Sequence, residues 1–188
     1  MRQFQQQYEE WVRLSVDRVP TASPPGVGLY GAHHLGPVGA DKIICMWDGA
    51  VRRGSHSAGG VVLFTPNRAV WLVKGIHFPC LDDPLVVELL VLREAVLWCL
   101  ELGLSDVRFE GDAKIIIDKI IQADVRDNRV GAVLEELLPY FSSLTGFSVR
   151  FVGRRSNRVA HMVARKALSL YPTMSRFFNF QACLISRM

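Results

Sequence analysis

Residues 82–103 read DDPLVVELLVLREAVLWCLELG, and this stretch decides which fold the rest of the chain must complete. It opens with a cap and a proline, Asp83-Pro84, and stops at Gly103, as a helix does. The run between them is too long for a strand and almost wholly apolar, so it predicts a deeply buried helix. A membrane span is not expected, because four charged residues interrupt the run: Glu88, Arg93, Glu94 and Glu101.

Strand-like segments lie on the N-terminal side of this helix. Residues 44–47 (ICMW), 58–64 (AGGVVLF) and 69–78 (AVWLVKGIHF) are rich in β-branched and aromatic side chains, and glycine- or proline-bearing stretches separate them. Such runs predict three successive antiparallel strands.

The C-terminal side of the helix alternates strands and helices. We expect strands at 106–110 and 147–152 and helices at 113–121, 129–141 and 157–170. The order is β-β-β-α-β-α-α-β-α, with parallel crossovers in its second half, so the chain is assigned to the α/β class.

The length and composition predict one domain. A chain of 188 residues with 49% hydrophobic content is long enough for one buried core. We place this domain at residues 41–170. Residues 1–40 are expected to hold a short helix near 3–17 and a Pro/Gly-rich linker, and residues 171–188 form a C-terminal extension.

The compartment is expected to be intracellular and reducing. The four cysteines lack CxxC spacing, and the N-terminus lacks a secretory apolar segment. Nucleus and cytoplasm are not distinguished.

Three acidic residues are candidates for a catalytic or metal-binding site. Asp48 follows the run ICMW, although Asp48-Gly49 is also a common hairpin dipeptide. Glu88 sits in LVVELLVL, where a buried carboxylate needs a partner or a metal, and partial exposure or pairing with Arg93 is the alternative. Asp112 follows the strand at 106–110 and is also a good helix N-cap.

Three carboxylates at one sheet edge would repel each other unless cations were present, and oxygen ligands of this kind select Mg²⁺. Two such ions suit phosphodiester displacement. The sequence also carries a cationic patch, which is a solvated surface or a site for a polyanion. It spans residues 147–168 and contains no acidic residue: Arg150, Arg154, Arg155, Arg158, Arg165 and Lys166.

Five motifs in order, MWDGA, GGVV, DDPLVVELLVLREAV, VRFEGD and VRFVGRRSNRVAHMVARKAL, resemble the plant ribonuclease-H-like family of retrotransposon polyproteins and free-standing domains. The resemblance covers about residues 42–170. It implies a five-stranded mixed sheet flanked by helices, and cleavage of the RNA strand of RNA–DNA hybrids by two Mg²⁺ ions. A nitrogen ligand at His161 would favour Mn²⁺ in place of Mg²⁺.

The resemblance also implies the catalytic and metal-binding residues. Asp48, Glu88 and Asp112 match the first three acidic ligands, while His161 stands where a fourth acid is expected. His161 is either a ligand, as in the similar slicer domains of Argonaute proteins, or a partly buried polar residue. The loop before the last helix carries Arg154 where active relatives often hold a histidine.

Nucleic acid is the expected partner, and protein partners are not identified. The residues expected to contact it are Gly49, Ala50, Arg154, Arg155, Asn157 and Arg158. The main hypothesis is therefore a ribonuclease-H-type nuclease. The alternatives are a domesticated, weakly active or inactive nucleic-acid-binding or regulatory domain, and a protein-interaction role for the apolar segment RFFNFQACLI (residues 176–185).

Overall fold

The computed structural model describes residues 42–53, 56–79, 81–126 and 130–170, together with the backbone of 177–181. The expected N-terminal helix and linker lie outside these residues. The described chain forms one mixed sheet of six strands in the order β5-β4-β1-β2-β3-β6. The strands are β1 (Ile43–Arg52), β2 (His56–Phe64), β3 (Val70–Pro79), β4 (Asp106–Gly111), β5 (Gly146–Phe151) and β6 (Phe177–Gln181).

The first three strands are antiparallel to one another, and β4 and β5 run parallel to β1. The predicted α/β class and its five-stranded mixed sheet are confirmed. The sixth strand was not predicted. It pairs antiparallel with β3 at the edge of the sheet and belongs to the apolar segment at residues 176–185.

Helices cover both faces of the sheet. They are α1 (Pro84–Glu101), α2 (Lys114–Gln122), α3 (Gly131–Ser142) and α4 (Arg158–Ser169). Apolar residues of α1, α2 and α3 share the larger core with one sheet face, and α4 closes the smaller core on the other. No helix in the described part of the chain is both long and apolar enough to cross a lipid bilayer.

The buried helix α1 forms as its sequence indicates. The Asp83 carboxylate accepts hydrogen bonds from the backbone N–H groups of Leu85 and Val86 and so caps the first turn. At the other end, Gly103 adopts a φ of +68° that terminates the helix. Because α1 packs between the sheet and α3, both sides of the helix need apolar residues.

Helix α4 lies close to the sheet because Gly60 of β2 has no side chain. A Cβ atom at Gly60 would lie 2.4 Å from the backbone nitrogen of Ala164 and 2.5 Å from the carbonyl oxygen of Ala160. These distances are too short for any non-bonded contact. The glycine therefore sets how near the residues of α4 come to β1 and β2.

Candidate metal centre

Asp48 lies inside a strand at the point where the sheet opens. The parallel pairing of β1 with β4 ends at Met46 and Glu110, whereas β1 continues beside β2, with Asp48 opposite Gly60. The hairpin interpretation of Asp48-Gly49 is therefore wrong. The β1–β2 turn comes after Arg52. The apolar run at residues 44–47 predicts only the first half of β1, because the second half contains Asp48, Gly49 and Arg52.

Glu88 reaches this opening from the second turn of α1. The backbone N–H of Gly49 donates a hydrogen bond to its carboxylate. A Cβ atom at Gly49 would lie 3.1 Å from Val87 Cγ1 and 3.4 Å from Glu88 Cδ, so a glycine here permits the close approach of helix and strand. Arg93, the alternative partner considered for Glu88, instead forms ion pairs with Glu94 and Glu136.

Asp112 follows β4 directly. It is not the N-cap that its position suggested, since Ala113 occupies the cap position and α2 begins at Lys114 without a side-chain cap. The Asp112 carboxylate instead accepts a hydrogen bond of 2.8 Å from the side-chain amide of Asn157. That bond directs Asp112 towards β1 and away from its own helix.

The three carboxylates converge. One oxygen each from Asp48, Glu88 and Asp112 lies within 4.8 Å of the other two. Burial is the main reason that the pKa of Asp48 is raised to about 6, and the charge of Asp112 adds to this, while the hydrogen bond from His161 acts against it. Burial, and then the charge of Asp48, raises the pKa of Glu88 well above its usual range.

This group of residues fits a hard divalent cation. All three donors are carboxylate oxygens, which is the chemistry that Mg²⁺ and Mn²⁺ prefer. Glu88 Oε2 is buried and has no hydrogen-bond partner among the described residues. A buried carboxylate oxygen without a partner is costly, and a bound cation removes that cost.

His161 projects from α4 towards the centre. Its Nδ1 atom lies 2.8 Å from Asp48 Oδ2, and about half of the side chain is exposed. The expected neighbour relation with Asp48 is therefore present. The ring nitrogen contacts Asp48 but lies outside the group of three mutually close carboxylates.

Asn157 bridges β1 and Asp112 from a buried position, a role that no local sequence pattern indicates. Its side chain is 1% exposed, and its amide nitrogen donates to the carbonyl oxygen of Trp47 at 2.9 Å as well as to Asp112. Its backbone carbonyl also accepts from the N–H of His161. This corrects the expectation that Asn157 contacts nucleic acid, because the residue is buried and holds β1, Asp112 and α4 together.

Of the basic residues at and before the start of α4, Arg154 lies beside the centre. Arg154 is 95% exposed, and its Nε atom lies 3.8 Å from Asp112 Oδ2. Arg155 and Arg158 are exposed as well. Gly49 and Ala50 line an open groove of about 400 Å³ that begins at His161.

Comparisons with known proteins agree with this architecture. No curated protein sequence is significantly similar to the chain. Ribonuclease H1 from the halophilic archaeon Halobacterium salinarum NRC-1 superposes with a TM-score of 0.63 at 21% identity, over 68% of this chain and 98% of that one.

Two further solved structures show the same likeness. The N-terminal ribonuclease H domain of a Mycobacterium tuberculosis protein gives a TM-score of 0.62 at 17% identity, over 69% of this chain and 94% of that one. LC11-RNase H1, solved in complex with an RNA/DNA hybrid, gives 0.61 at 15% identity, over 68% and 97%. At such identities the likeness establishes the fold.

A family model described as reverse transcriptase-like matches residues 46–167, well over half of the chain. The match contains the three convergent carboxylates and His161. With a ribonuclease H fold and this match, the chain belongs to the reverse transcriptase-like family.

Proposed function

We propose that this protein is a metal-dependent endonuclease that cleaves the RNA strand of RNA–DNA hybrids. One observation carries the proposal: Asp48, Glu88 and Asp112 converge at the opening of the sheet, where one Glu88 oxygen is buried with no hydrogen-bond partner among the residues that the structure describes. Burial and the charges of neighbouring carboxylates raise the pKa of Asp48 and of Glu88, and a cation beside them stabilises their ionised forms.

Asp48, Glu88, Asp112 and His161 would hold two Mg²⁺ or Mn²⁺ ions. When bound, such ions supply Lewis-acid stabilisation to the attacking and leaving oxygens of a phosphodiester. The chain's own contribution is positional. Asn157 fixes the Asp112 carboxylate, the Gly49 N–H fixes Glu88, and His161 fixes Asp48.

Nucleic acid is the proposed partner because exposed cationic side chains accompany the acidic centre. Arg154 lies 3.8 Å from Asp112, Arg155 and Arg158 are exposed close to it in sequence, and guanidinium groups bind phosphates in a bidentate manner. LC11-RNase H1, which shares the fold, was solved with an RNA/DNA hybrid. This supports a hybrid as the substrate, with the backbone at Gly49 and Ala50 facing the 2′-hydroxyl groups.

A second candidate is a domesticated domain that binds nucleic acid and cleaves it weakly or not at all. It is favoured by the histidine at position 161, which contacts Asp48 where the resemblance places an acid. A neutral imidazole brings no negative charge to balance two cations.

Cleavage of a labelled RNA–DNA hybrid separates these candidates. Wild type and Asp48→Asn would be incubated with the hybrid, with double-stranded DNA and with single-stranded RNA, in Mg²⁺ and separately in Mn²⁺. We expect the wild type alone to cleave, and only the RNA strand of the hybrid. Binding of the hybrid without cleavage supports the second candidate, while equal activity of Asp48→Asn contradicts the metal-centre proposal.

We also propose that the protein belongs to the plant, retrotransposon-type branch and works in a reducing intracellular compartment. The motifs around the four site residues support the first proposal. The second is supported by Cys45 and Cys99, which are buried in the core as free thiols.

A further inference from the structure

A groove of about 400 Å³ lies along the C-terminal half of β1, next to His161 of the candidate metal centre. This volume falls within the range of roughly 300–1,000 Å³ that is typical of ligand sites. The groove lies between β1 and α4. The lining residues are Gly49, Ala50, Val51, Arg52, His161, Arg165 and Leu168.

Two rows of side chains form its walls. Strand periodicity places Asp48, Ala50 and Arg52 on one face of β1, and the contact between Asp48 and His161 shows that this face points to α4. Helix periodicity places Arg165 one turn beyond His161 on the same side of α4. The groove therefore begins at His161, whose ring contacts Asp48, and ends between Arg52 and Arg165.

The floor of the groove is open backbone. Pairing of β1 with β4 stops at Met46, so the second half of β1 has a strand neighbour, β2, on one side only. Gly49 has no side chain, and the side chain of Val51 packs against the larger core. These two residues consequently reach the groove with their peptide groups. The Gly49 N–H is already donated to Glu88, so a sugar hydroxyl would hydrogen-bond to the Gly49 carbonyl or to the peptide groups of Val51.

Arg52 and Arg165 bring positive charge without local compensation. Both are exposed, and neither forms an ion pair with any acidic residue in the part of the chain that the structure describes. Arg154 differs, because it already lies near Asp112. Two uncompensated guanidinium groups from different elements, facing one polar groove, suit a phosphate diester.

We propose that this groove binds a phosphate of the cleaved strand next to the scissile position, held by Arg52 and Arg165. The inference rests on the proposed function, since the strand must enter from the metal centre. It specifies the path that the bound RNA strand takes over the protein. The RNA strand continues along β1 towards Arg52, in addition to passing the loop at Arg154.

The test pairs a lost charge on the protein with a lost charge on the substrate. In a set of hybrids, one phosphate of the RNA strand at a time is replaced by an uncharged methylphosphonate. Affinity is measured by fluorescence anisotropy in Ca²⁺, and initial cleavage rates are measured in Mn²⁺. The proteins are wild type, Arg52→Gln, Arg165→Gln and the control Lys42→Gln, which removes a charge at the opposite end of β1.

We expect Arg52→Gln and Arg165→Gln to bind the unmodified hybrid about fivefold to tenfold more weakly. At one position flanking the scissile phosphate, the methylphosphonate should lower the affinity of wild type for the hybrid but should not lower the affinity of either arginine variant further. Such non-additivity is expected of a direct contact. For Lys42→Gln, the loss of affinity caused by the substitution and the loss caused by the methylphosphonate should add at every position. Mn²⁺ affinity and melting temperature should be unchanged in both arginine variants.

The outcomes distinguish the two proposals. If wild type cleaves the hybrid but the arginine variants respond to each methylphosphonate as wild type does, the groove assignment is wrong and the nuclease proposal stands. If wild type binds the hybrid and shows the expected non-additivity but does not cleave it, the groove is confirmed as a phosphate site and the nuclease proposal is wrong. If wild type neither binds nor cleaves, both are wrong.

Discussion

His161 is the residue on which the chemistry of the candidate centre depends most. Its ring contacts Asp48 directly, yet a neutral imidazole contributes one donor atom and no charge. Two cations held by three carboxylates and an imidazole are less well neutralised than two cations held by four carboxylates. Mg²⁺ prefers oxygen ligands, whereas Mn²⁺ accepts nitrogen more readily.

We therefore expect wild type to cleave better with Mn²⁺ than with Mg²⁺, and His161→Asp to gain Mg²⁺-dependent activity of about tenfold or more, which corresponds to roughly 1.4 kcal/mol. His161→Asn is the matched control, because it has the shape of aspartate without its charge. Initial rates across a titration of each ion provide the measurement. An unchanged metal preference in His161→Asp would show that His161 is not a ligand.

Asp48 should make the stability of the metal-free protein depend on pH. Its pKa is raised from 3.8 to about 6 in the folded protein. The protonated carboxyl therefore favours folding, and this contribution is fully present below about 4 and is lost as pH rises through 6. Asp48→Asn removes the titration.

As pH rises from 5 to 7.5, the unfolding free energy of Asp48→Asn should increase by roughly 1–3 kcal/mol relative to that of wild type, because only wild type loses the contribution of the protonated carboxyl. Urea denaturation in EDTA at each pH provides the measurement. A saturating divalent cation should reduce that gain, because the ionised carboxylate then has a partner. Parallel pH profiles for the two proteins would contradict the raised pKa. Mn²⁺ affinity of wild type should fall below pH 6 for the same reason.

At the scale of secondary-structure elements, the position of α4 decides whether the centre can assemble. The helix carries His161, and its N-terminal flank carries Asn157, while its distance from the sheet is limited by Gly60. Anything that lifts α4 from β2 separates His161 from Asp48.

Gly60→Ala should test this dependence. The added Cβ meets backbone atoms of α4 at 2.4 Å and 2.5 Å, and backbone cannot yield as a flexible side chain would. We expect a loss of about 3 kcal/mol in unfolding free energy and weaker Mn²⁺ binding in the folded fraction. Gly153→Ala is the control, since its Cβ would have no neighbour within 4 Å. Equal stability of the two variants would refute the packing argument.

Asn157→Ala should disturb the centre without removing a ligand. The substitution leaves the Trp47 carbonyl without its 2.9 Å donor and frees Asp112 to rotate, so we expect a cost of roughly 1–3 kcal/mol and reduced Mn²⁺ affinity. Ser156→Ala, at an exposed neighbour, is the control. Calorimetric titration with Mn²⁺ measures the affinity, and an unchanged value would limit Asn157 to a purely structural role.

At the scale of the whole molecule, the charges are arranged for a polyanion although the net charge is only +4. Asp48 is buried at the opening of the sheet, while Arg154, close to Asp112, and the neighbouring Arg155 and Arg158 are exposed. Long-range attraction for nucleic acid would thus come from the rim, while the interior acts on bound cations.

Replacing Arg154, Arg155 and Arg158 together with alanine should weaken hybrid binding and reduce the dependence of log affinity on log salt by about 2–3 in slope. The melting temperature should change little, because all three side chains are exposed. Affinity measured from low to moderate salt checks this expectation. A slope equal to that of wild type would show that these arginines do not contact phosphates.

The sequence alone determined the order and type of the five core strands and four helices in the described domain. Local patterns carry that information: β-branched runs predict strands, and a proline and a glycine bound the long apolar helix. Glu88 was identifiable for the same reason, since a carboxylate among aliphatic neighbours is costly wherever the chain folds. Asp48 and Asp112 were identifiable because each follows a predicted strand, and the resemblance added His161 and matched all four residues to motifs.

Only the tertiary structure decided how these residues meet. Asp48 lies inside β1 because its neighbour β2 continues the ladder, which no local pattern reports. Asn157 proved to be a buried bridge because its partners are 110 and 45 residues away in the chain. The sixth strand and the groove between Arg52 and Arg165 likewise depend on contacts between distant segments. Such contacts follow from packing in three dimensions, and residue spacing along the chain does not encode them.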